Sequence, residues 1–274
     1  MDLSVVVPVY NEEVTLEPLV HEIRSALEPL GKSYEMILVD DGSTDGTFAL
    51  LTRLHRIEPR LKVLRFKRNF GQTAAVAAGF AHAQGNVVIA MDGDGQNDPK
   101  DIPALLEKLE EGFDLVGGWR SPRQDPFWSR QLPSLMANRL ISWMTQVKMH
   151  DYGCTLKALR REIAKELKLY GEMHRFIPAI AYERGARITE IKVHHRARQG
   201  GQSKYGIART FRVILDLLTV KFLLSYATRP LHVFGLVGLI SGGTGFLIAV
   251  FLTGQKLFYQ YEIGAVRCSC SPCF

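Results

Sequence analysis

Through the first 118 residues, short β-branched runs alternate with stretches whose apolar positions recur at helical spacing. The runs fall at residues 4–7, 35–39, 62–66 and 86–91, with a weaker fifth at 114–116. The helical patterns between them cover residues 15–30, 47–57, 72–83 and 102–110. Strands separated by helices of this length pair in parallel. The pattern therefore predicts an α/β domain, a mostly parallel sheet with helices on both faces. Beyond it, residues 119–133 are rich in Arg, Pro and aromatics and read as a long loop. Helices are predicted at 135–147 and 156–169, and an edge strand at 187–194. Residues 199–206 are Gly-rich and read as a mobile loop, followed at 205–226 by a basic, apolar helix suited to a membrane interface.

One segment changes this picture of a globular chain. Residues 231–255 contain no Asp, Glu, Lys or Arg, and their core reads HVFGLVGLISGGTGFLIAVFL. At ~1.5 Å rise per residue, about 20 such residues cross a ~30 Å hydrocarbon layer. The predicted organisation is an α/β domain over 1–200 with halves at 1–118 and 119–200, a loop with interfacial helices over 201–229, a transmembrane helix over 230–255, and a tail over 256–274 with no assigned role. Lys204, Arg209, Arg212, Lys221 and Arg229 precede the span, whereas only Lys256 and Arg267 follow it. The positive-inside bias then leaves the α/β domain in the cytoplasm, at the inner membrane. Residues 1–9 read as a strand with an acidic Asp2, not as a signal peptide.

The net charge of +6 hides a division of labour. Residues 1–118 carry 11 Lys/Arg against 19 Asp/Glu, and residues 119–230 carry 21 against 8. A basic part faces an anionic partner. The apolar span selects the lipid bilayer and its phosphates over nucleic acid. Of the four cysteines, Cys154 reads as an inert packed thiol. Cys268, Cys270 and Cys273 crowd the last seven residues without a nearby His or second cluster, so no metal site is drawn from them.

The candidate chemistry lies where strands end, because open α/β sheets collect ligands beyond the carboxyl ends of their strands. The fourth run ends in Asp92-Gly93-Asp94-Gly95-Gln96. In a continuing strand the two carboxylates point to opposite faces; in a Gly-rich turn both can meet one ion. Hard oxygen donors suit Mg2+ or Mn2+ bridging substrate phosphates. An acidic turn is the plain alternative, and an EF-hand is excluded because the twelfth position from Asp92 is Pro103. The second run ends in Asp40-Asp41-Gly42-Ser43-Thr44-Asp45, which supplies a helix cap and two acceptors for ribose hydroxyls or a base N–H. The first run ends in Pro8-Val9-Tyr10-Asn11-Glu12, adding a ring and a carboxylate. Neither G-x-G-x-x-G nor G-x-x-x-x-G-K-[ST] occurs. A nucleotide held by carboxylates and a divalent ion suggests a nucleotide-sugar donor.

These motifs carry a resemblance. VVVPVYNEE, VDDGSTD, RNFGQTAA and MDGDGQNDP resemble the inverting nucleotide-sugar transferases of glycosyltransferase family two, which have the GT-A fold. GGWRSPRQDPFWSR, HDYGCTLKALRRE, HRFIPAIA, HHRARQGGQSKYG and DLLT are similar to the polyprenyl-phosphate glycosyltransferases, among them dolichyl-phosphate mannose synthases and undecaprenyl-phosphate sugar transferases. DYGC with HHRAR…SKY is particularly similar to the formamido-arabinose transferases. The likeness covers about residues 3–252. It implies that Pro8, Tyr10, Glu12, Asp40 and Asp41 hold the base and ribose, and that Asp92, Asp94 and Gln96 hold the metal. It also implies that Arg120, Arg130, Arg198, Ser203 and Lys204 bind the lipid phosphate or the donor diphosphate. Gly93 and Gly95 stand where Ala and Leu are commoner, which predicts a looser metal turn. The spacing around Arg130 is shifted by a residue, and either Arg196 or Arg198 meets the phosphate. The family often carries two membrane helices, where this chain has one apolar segment.

The chemistry agrees. A lipid phosphate is already an anion and needs little general-base help; the obstacle is bringing it beside a leaving diphosphate. A divalent ion neutralises the leaving group, and guanidinium groups fork onto the acceptor. Asp94, Arg120, Arg130 and Asp151 are the residues assigned to the reaction, Asp151 either orienting the acceptor or acting as a base. His174 reads as a packed histidine, Arg123, Arg160 and Arg161 as surface charges, and His194 and His195 as lacking a metal-binding partner. The expected activity is inverting sugar transfer from a UDP- or GDP-linked donor to a polyprenyl phosphate, with room for a homo-oligomer. The rivals are a processive polysaccharide synthase, opposed by the absence of Q-x-x-R-W, and a non-catalytic tethered nucleotide-binding protein.

Overall fold

The computed structural model describes residues 1–121, 132–196 and 230–259, with Thr219 and Phe222. In chain order the strands are β1 (Leu3–Val9), β2 (Tyr34–Asp40), β3 (Leu61–Arg65), β4 (Val87–Ala90), β5 (Leu115–Arg120), β6 (Lys157–Arg160) and β7 (Ile188–Val193). The helices are α1 (Leu16–Leu27), α2 (Thr47–Ile57), α3 (Gln72–His82), α4 (Ile102–Glu110), α5 (Leu132–Thr145), α6 (Arg161–Glu166), α7 (Ile177–Glu183) and α8 (Pro230–Tyr259).

Seven strands form one sheet in the order β3-β2-β1-β4-β6-β5-β7. All pairs are parallel except the two that β6 makes, with β4 and β5. The helices form two groups: α1 packs with α2 and α4, whereas α3 packs on β1 and β2 and touches α6. On α1 the buried set is Leu16, Leu19, Val20, Ile23 and Leu27, the apolar stripe of an amphipathic helix. Every residue of β2 is buried, as expected of a strand covered on both faces.

The register aligns the acidic strand ends. Val9 stands opposite Asp40 and Val6 opposite Ala90. Asp92 therefore emerges beside Pro8, one strand away from the Asp40-Asp41 pair.

Two sequence expectations are corrected. Residues 156–169 do not form a single helix: 157–160 are β6, and only Arg161–Glu166 is helical. Lys-Ala-Leu-Arg has little strand preference of its own, and its pairing with β4 and β5 overrides propensity. The predicted loop from 119 also begins too early, since Trp119 and Arg120 complete β5. The Gly117-Gly118 pair reads as a strand breaker. Tertiary pairing supplies what it lacks, including a bond from Gly118 N to Leu156 O. The predicted edge strand is β7, at the sheet edge.

The chain divides into two units, Met1–Lys221 and Phe222–Phe274. Within the second, Phe234–Leu257 is a 24-residue stretch of mean hydropathy 2.0, long and apolar enough to cross a membrane. Its large apolar side chains are exposed, among them Leu239 and Phe246. The predicted mobile loop lies outside the described residues, as does the interfacial helix apart from Thr219 and Phe222.

Candidate functional site

Three strand ends are tied into one edge by short side chains. Asn11 N donates to Ser43 Oγ at 3.0 Å and Thr44 N to Asn11 Oδ1 at 2.9 Å, so the loops after β1 and β2 interlock. The Thr15 hydroxyl lies 3.1 Å from Glu12 Oε2 and 2.9 Å from Gly93 O, linking the first loop to the acidic turn after β4. These bonds bring Pro8, Tyr10, Glu12, Asp40, Asp41, Asp92 and Asp94 to one end of the sheet.

The two aspartates at the end of β2 are held within the fold, although Asp40 Oδ2 is buried without a hydrogen-bond donor. Asp40 Oδ1 accepts from Ser43 N at 2.9 Å, and its other oxygen lies 3.5 Å from Arg65 Nε. Asp41 accepts from Phe70 N at 2.7 Å and Gly71 N at 2.9 Å, and burial holds its pKa above the usual carboxylate range. Asp41 thus fixes the loop that opens α3, a task not visible in its motif. Gly71 enters that helix at φ +95, in the left-handed region where glycine is at ease.

The acidic turn is tied, not slack. Gly93 lies so close to β1 that a Cβ there would come within 2.8 Å of Val9 Cγ1. Its carbonyl meets Thr15, and Asp94 Oδ1 accepts from Gln96 N at 3.1 Å. At Gly93 the absent side chain allows close packing and not slack, whereas Gly95, at φ +73, faces open space. Gln96 directs its amide nitrogen to Arg196 O at 3.5 Å, leaving its oxygen as the available ligand atom.

Asp92 sits at the floor of the site, in a small cavity shared with Pro8, Gln72, Thr155, Lys157 and His174. Burial, and then the charge of Asp94, push its pKa up to about 7 against the opposing pull of Thr155, Lys157 and Arg120. The two carboxylates are close enough that the charge on one disfavours the charge on the other. Hard oxygens with mutually repelling charge fit a divalent cation. No group of three or more His, Cys, Asp or Glu gathers as a metal cage among the described residues. That suits an ion completed by an amide oxygen, water and substrate phosphate.

On the opposite bank, Arg120 forks onto Asp151, with Nε 2.7 Å from Oδ2 and Nη2 2.9 Å from Oδ1. Asp151 is 1% exposed and also accepts from Gly153 N at 3.1 Å. Arg196 pairs with Glu22 at 2.7 Å and Asp98 at 2.7 Å. Arg130, Arg198, Ser203 and Lys204 lie outside the described residues. His194, expected to lack a partner, meets Asp101 Oδ1 at 2.7 Å. His174 is buried beside Thr73 Oγ1 at 2.7 Å, with its pKa pushed down to about 3 by burial and then by Arg175. Cys154 is buried, and its thiol is pushed up to about 11 chiefly by that burial.

Four residues next to Asp92 were not singled out by sequence: Gln72, Asn97, Thr155 and Lys157. Buried Lys157, which donates to Cys154 O, lies in what reads as an ordinary helix. Gln72 sits within the quoted RNFGQTAA motif but carries no chemistry recognisable in isolation.

A parallel sheet with carboxylates gathered at its strand ends, facing guanidinium groups, defines a nucleotide-sugar transferase of the GT-A type. The chain belongs to glycosyl transferase family 2, whose model matches residues 4–168. It is 48% identical over 268 residues to a dodecaprenyl-phosphate galacturonate synthase from Rhizobium johnstonii, covering 96% of this chain and 79% of that protein. Among solved structures, it resembles the glucosyl-3-phosphoglycerate synthase of Mycobacterium tuberculosis with Mn2+, UDP and phosphoglyceric acid. The TM-score is 0.63, with 22% identity and coverage of 80% of this chain and 78% of that one. The same enzyme with Mn2+ and UDP-glucose gives a TM-score of 0.61 at 20% identity, with the same coverage. At these identities the likeness concerns the fold. The chain is a glycosyltransferase.

Proposed function

We propose that this enzyme transfers a galacturonosyl group from its UDP-linked donor to dodecaprenyl phosphate, with inversion, at the cytoplasmic face of the inner membrane. The observation that carries the reading is the acidic turn itself: in a chain of glycosyl transferase family 2, Asp92 and Asp94 stand together at the end of β4 within electrostatic reach of Arg120. The relative's name supplies the sugar and the lipid, and the UDP and Mn2+ of the structural neighbours support the donor and the ion. The apolar stretch of α8 supports anchoring in the bilayer.

Asp92, Asp94 and Gln96 hold Mn2+ or Mg2+, which when bound neutralises the departing diphosphate. The strand-end loops carrying Pro8, Tyr10, Glu12 and Asp40 cradle the nucleoside. Asp41 acts indirectly, by holding the loop amides of Phe70 and Gly71. Asp151 aims the Arg120 guanidinium and, with both oxygens engaged, serves as an orienter and not as a base. Arg120, Arg130, Arg198, Ser203 and Lys204 receive the acceptor phosphate. Its oxygen attacks the anomeric carbon while the sugar–diphosphate bond breaks, so catalysis is positioning plus electrostatic stabilisation.

The test is incubation of the detergent-solubilised enzyme with dodecaprenyl phosphate and, separately, labelled UDP-galacturonate, UDP-glucose and GDP-mannose. Label entering the lipid from UDP-galacturonate is the expected outcome. Transfer only from GDP-mannose overturns the donor, and no lipid label from any donor overturns the reaction.

A further inference from the structure

A carboxylate that must hold an ion in one place has to be prevented from turning. Gln72 Nε2 donates to Asp92 Oδ1 at 2.6 Å. Thr155 lines the same cavity from another part of the fold, and its hydroxyl draws the Asp92 pKa down against the effect of burial. Asn97 Nδ2 donates to Thr155 Oγ1 at 2.9 Å, so the hydroxyl accepts from Asn97 and keeps its one proton for the carboxylate.

Each donor is itself anchored. Gln72 is the first residue of α3, directly after the two amides that Asp41 grips. Asn97 is 4% exposed, and its backbone bridges to His195 at the end of the segment leading to Arg196. The Arg196 amide in turn donates to Gln96 O at 3.0 Å. Rotation of the Asp92 carboxylate would take the acceptor away from part-buried donor groups on either side.

We infer that Gln72, Thr155 and Asn97 form a positioning relay that locks the Asp92 carboxylate for cation binding and thereby sets the enzyme's affinity for its divalent ion. The inference rests on Asp92 being an ion ligand, as proposed above. Outer partners of metal-ligating carboxylates typically govern 10- to 100-fold in metal affinity, which sets the expected effect. The relay also joins the three loops of the site: that of Asp41, the acidic turn, and the chain leading into 197–204.

The experiment is titration of the purified full-length protein in detergent with Mn2+, with and without UDP, following free Mn2+ by electron paramagnetic resonance. Gln72→Leu and Thr155→Val are expected to weaken Mn2+ binding about 10- to 100-fold, while Thr155→Ser, which keeps the hydroxyl, binds like the wild type. The Mn2+ concentration for half-maximal rate rises by the same factor, and kcat recovers at saturating Mn2+. Thermal unfolding is recorded for each variant; should Thr155→Val fail to fold, Gln72→Leu, at a partly exposed helix start, carries the test. Loss of binding in Asp92→Asn with wild-type affinity in Gln72→Leu and Thr155→Val overturns the relay alone. Failure of the wild-type protein to bind Mn2+, or normal binding by Asp92→Asn, overturns the ion assignment and the relay with it.

Discussion

The two halves of the catalytic domain hold their charges in opposite ways. In the first, two site carboxylates are oriented by neutral donors: Asp41 by backbone amides and Asp92 by Gln72. In the second, guanidinium groups are oriented by carboxylates: Arg120 by Asp151, Arg196 by Glu22 and Asp98. A neutral donor fixes the direction of a charge and leaves its magnitude intact, so Asp92 keeps its appetite for a cation. A carboxylate fixes a guanidinium and largely cancels it. The Arg120–Asp151 pair is therefore suited to presenting N–H groups in a set geometry. The net positive charge that draws in a phosphate falls mainly to the remaining cations of the basic half.

The sharpest break of this contrast is Asp92→Asn. Removing one charge of the acidic turn should cost roughly 10³-fold in kcat, comparable to the loss of a major electrostatic stabiliser, as read by label transfer to the lipid. Activity within a few-fold of wild type would dissolve the distinction between the halves. Arg120→Ala comes next, because it removes the guanidinium that forks onto the 1%-exposed Asp151. Urea unfolding should show a loss of about 3 kcal/mol. Arg196→Ala, whose ion pairs are more open to solvent, should lose only about 1 kcal/mol. Equal losses would mean that the two guanidinium sites are not distinct in kind.

A pH experiment sharpens the comparison further. His174 is held neutral in the fold with a pKa near 3, whereas an unfolded chain takes up its proton near 6.5. Stability should therefore fall as acid is added, by about 2 kcal/mol between pH 7 and pH 5 from this group alone. His174→Gln should flatten that part of the profile, and an unchanged profile would refute the buried neutral imidazole. The smallest effect concerns Cys154. With its thiol near pKa 11 and buried, it should resist alkylation at pH 8 in the native protein and react once urea is added, as followed by peptide mass mapping.

Much of the first half was legible in the residues. The expected boundaries of α2 and α4 match those observed, and β1 to β4 shift by one or two residues at their ends. Those elements are specified locally, by β-branched runs and helical spacing. The second half was less legible. β6 carries a weak local signal, and its strand character comes from β4 and β5, about 40 to 70 residues away in sequence. The same holds within the site. The D-G-D-G-Q turn announced itself, while Gln72, Asn97 and Thr155 were silent, because an amide or hydroxyl becomes informative only beside the carboxylate it meets.

The order of strands and helices in the first 118 residues, the apolar stretch near the C-terminus, the division of charge and the family were all decided by composition and short-range pattern. Those properties follow from which residues neighbour one another along the chain. Folding decided which charges meet: that Asp151 belongs to Arg120, that Asp41 grips a loop, and that Asp92 takes the amide of Gln72 beside Asp94. Such assignments depend on distances of about 3 Å between groups 20 to 31 residues apart, where hydrogen bonding and Coulomb forces act, and no local pattern encodes them.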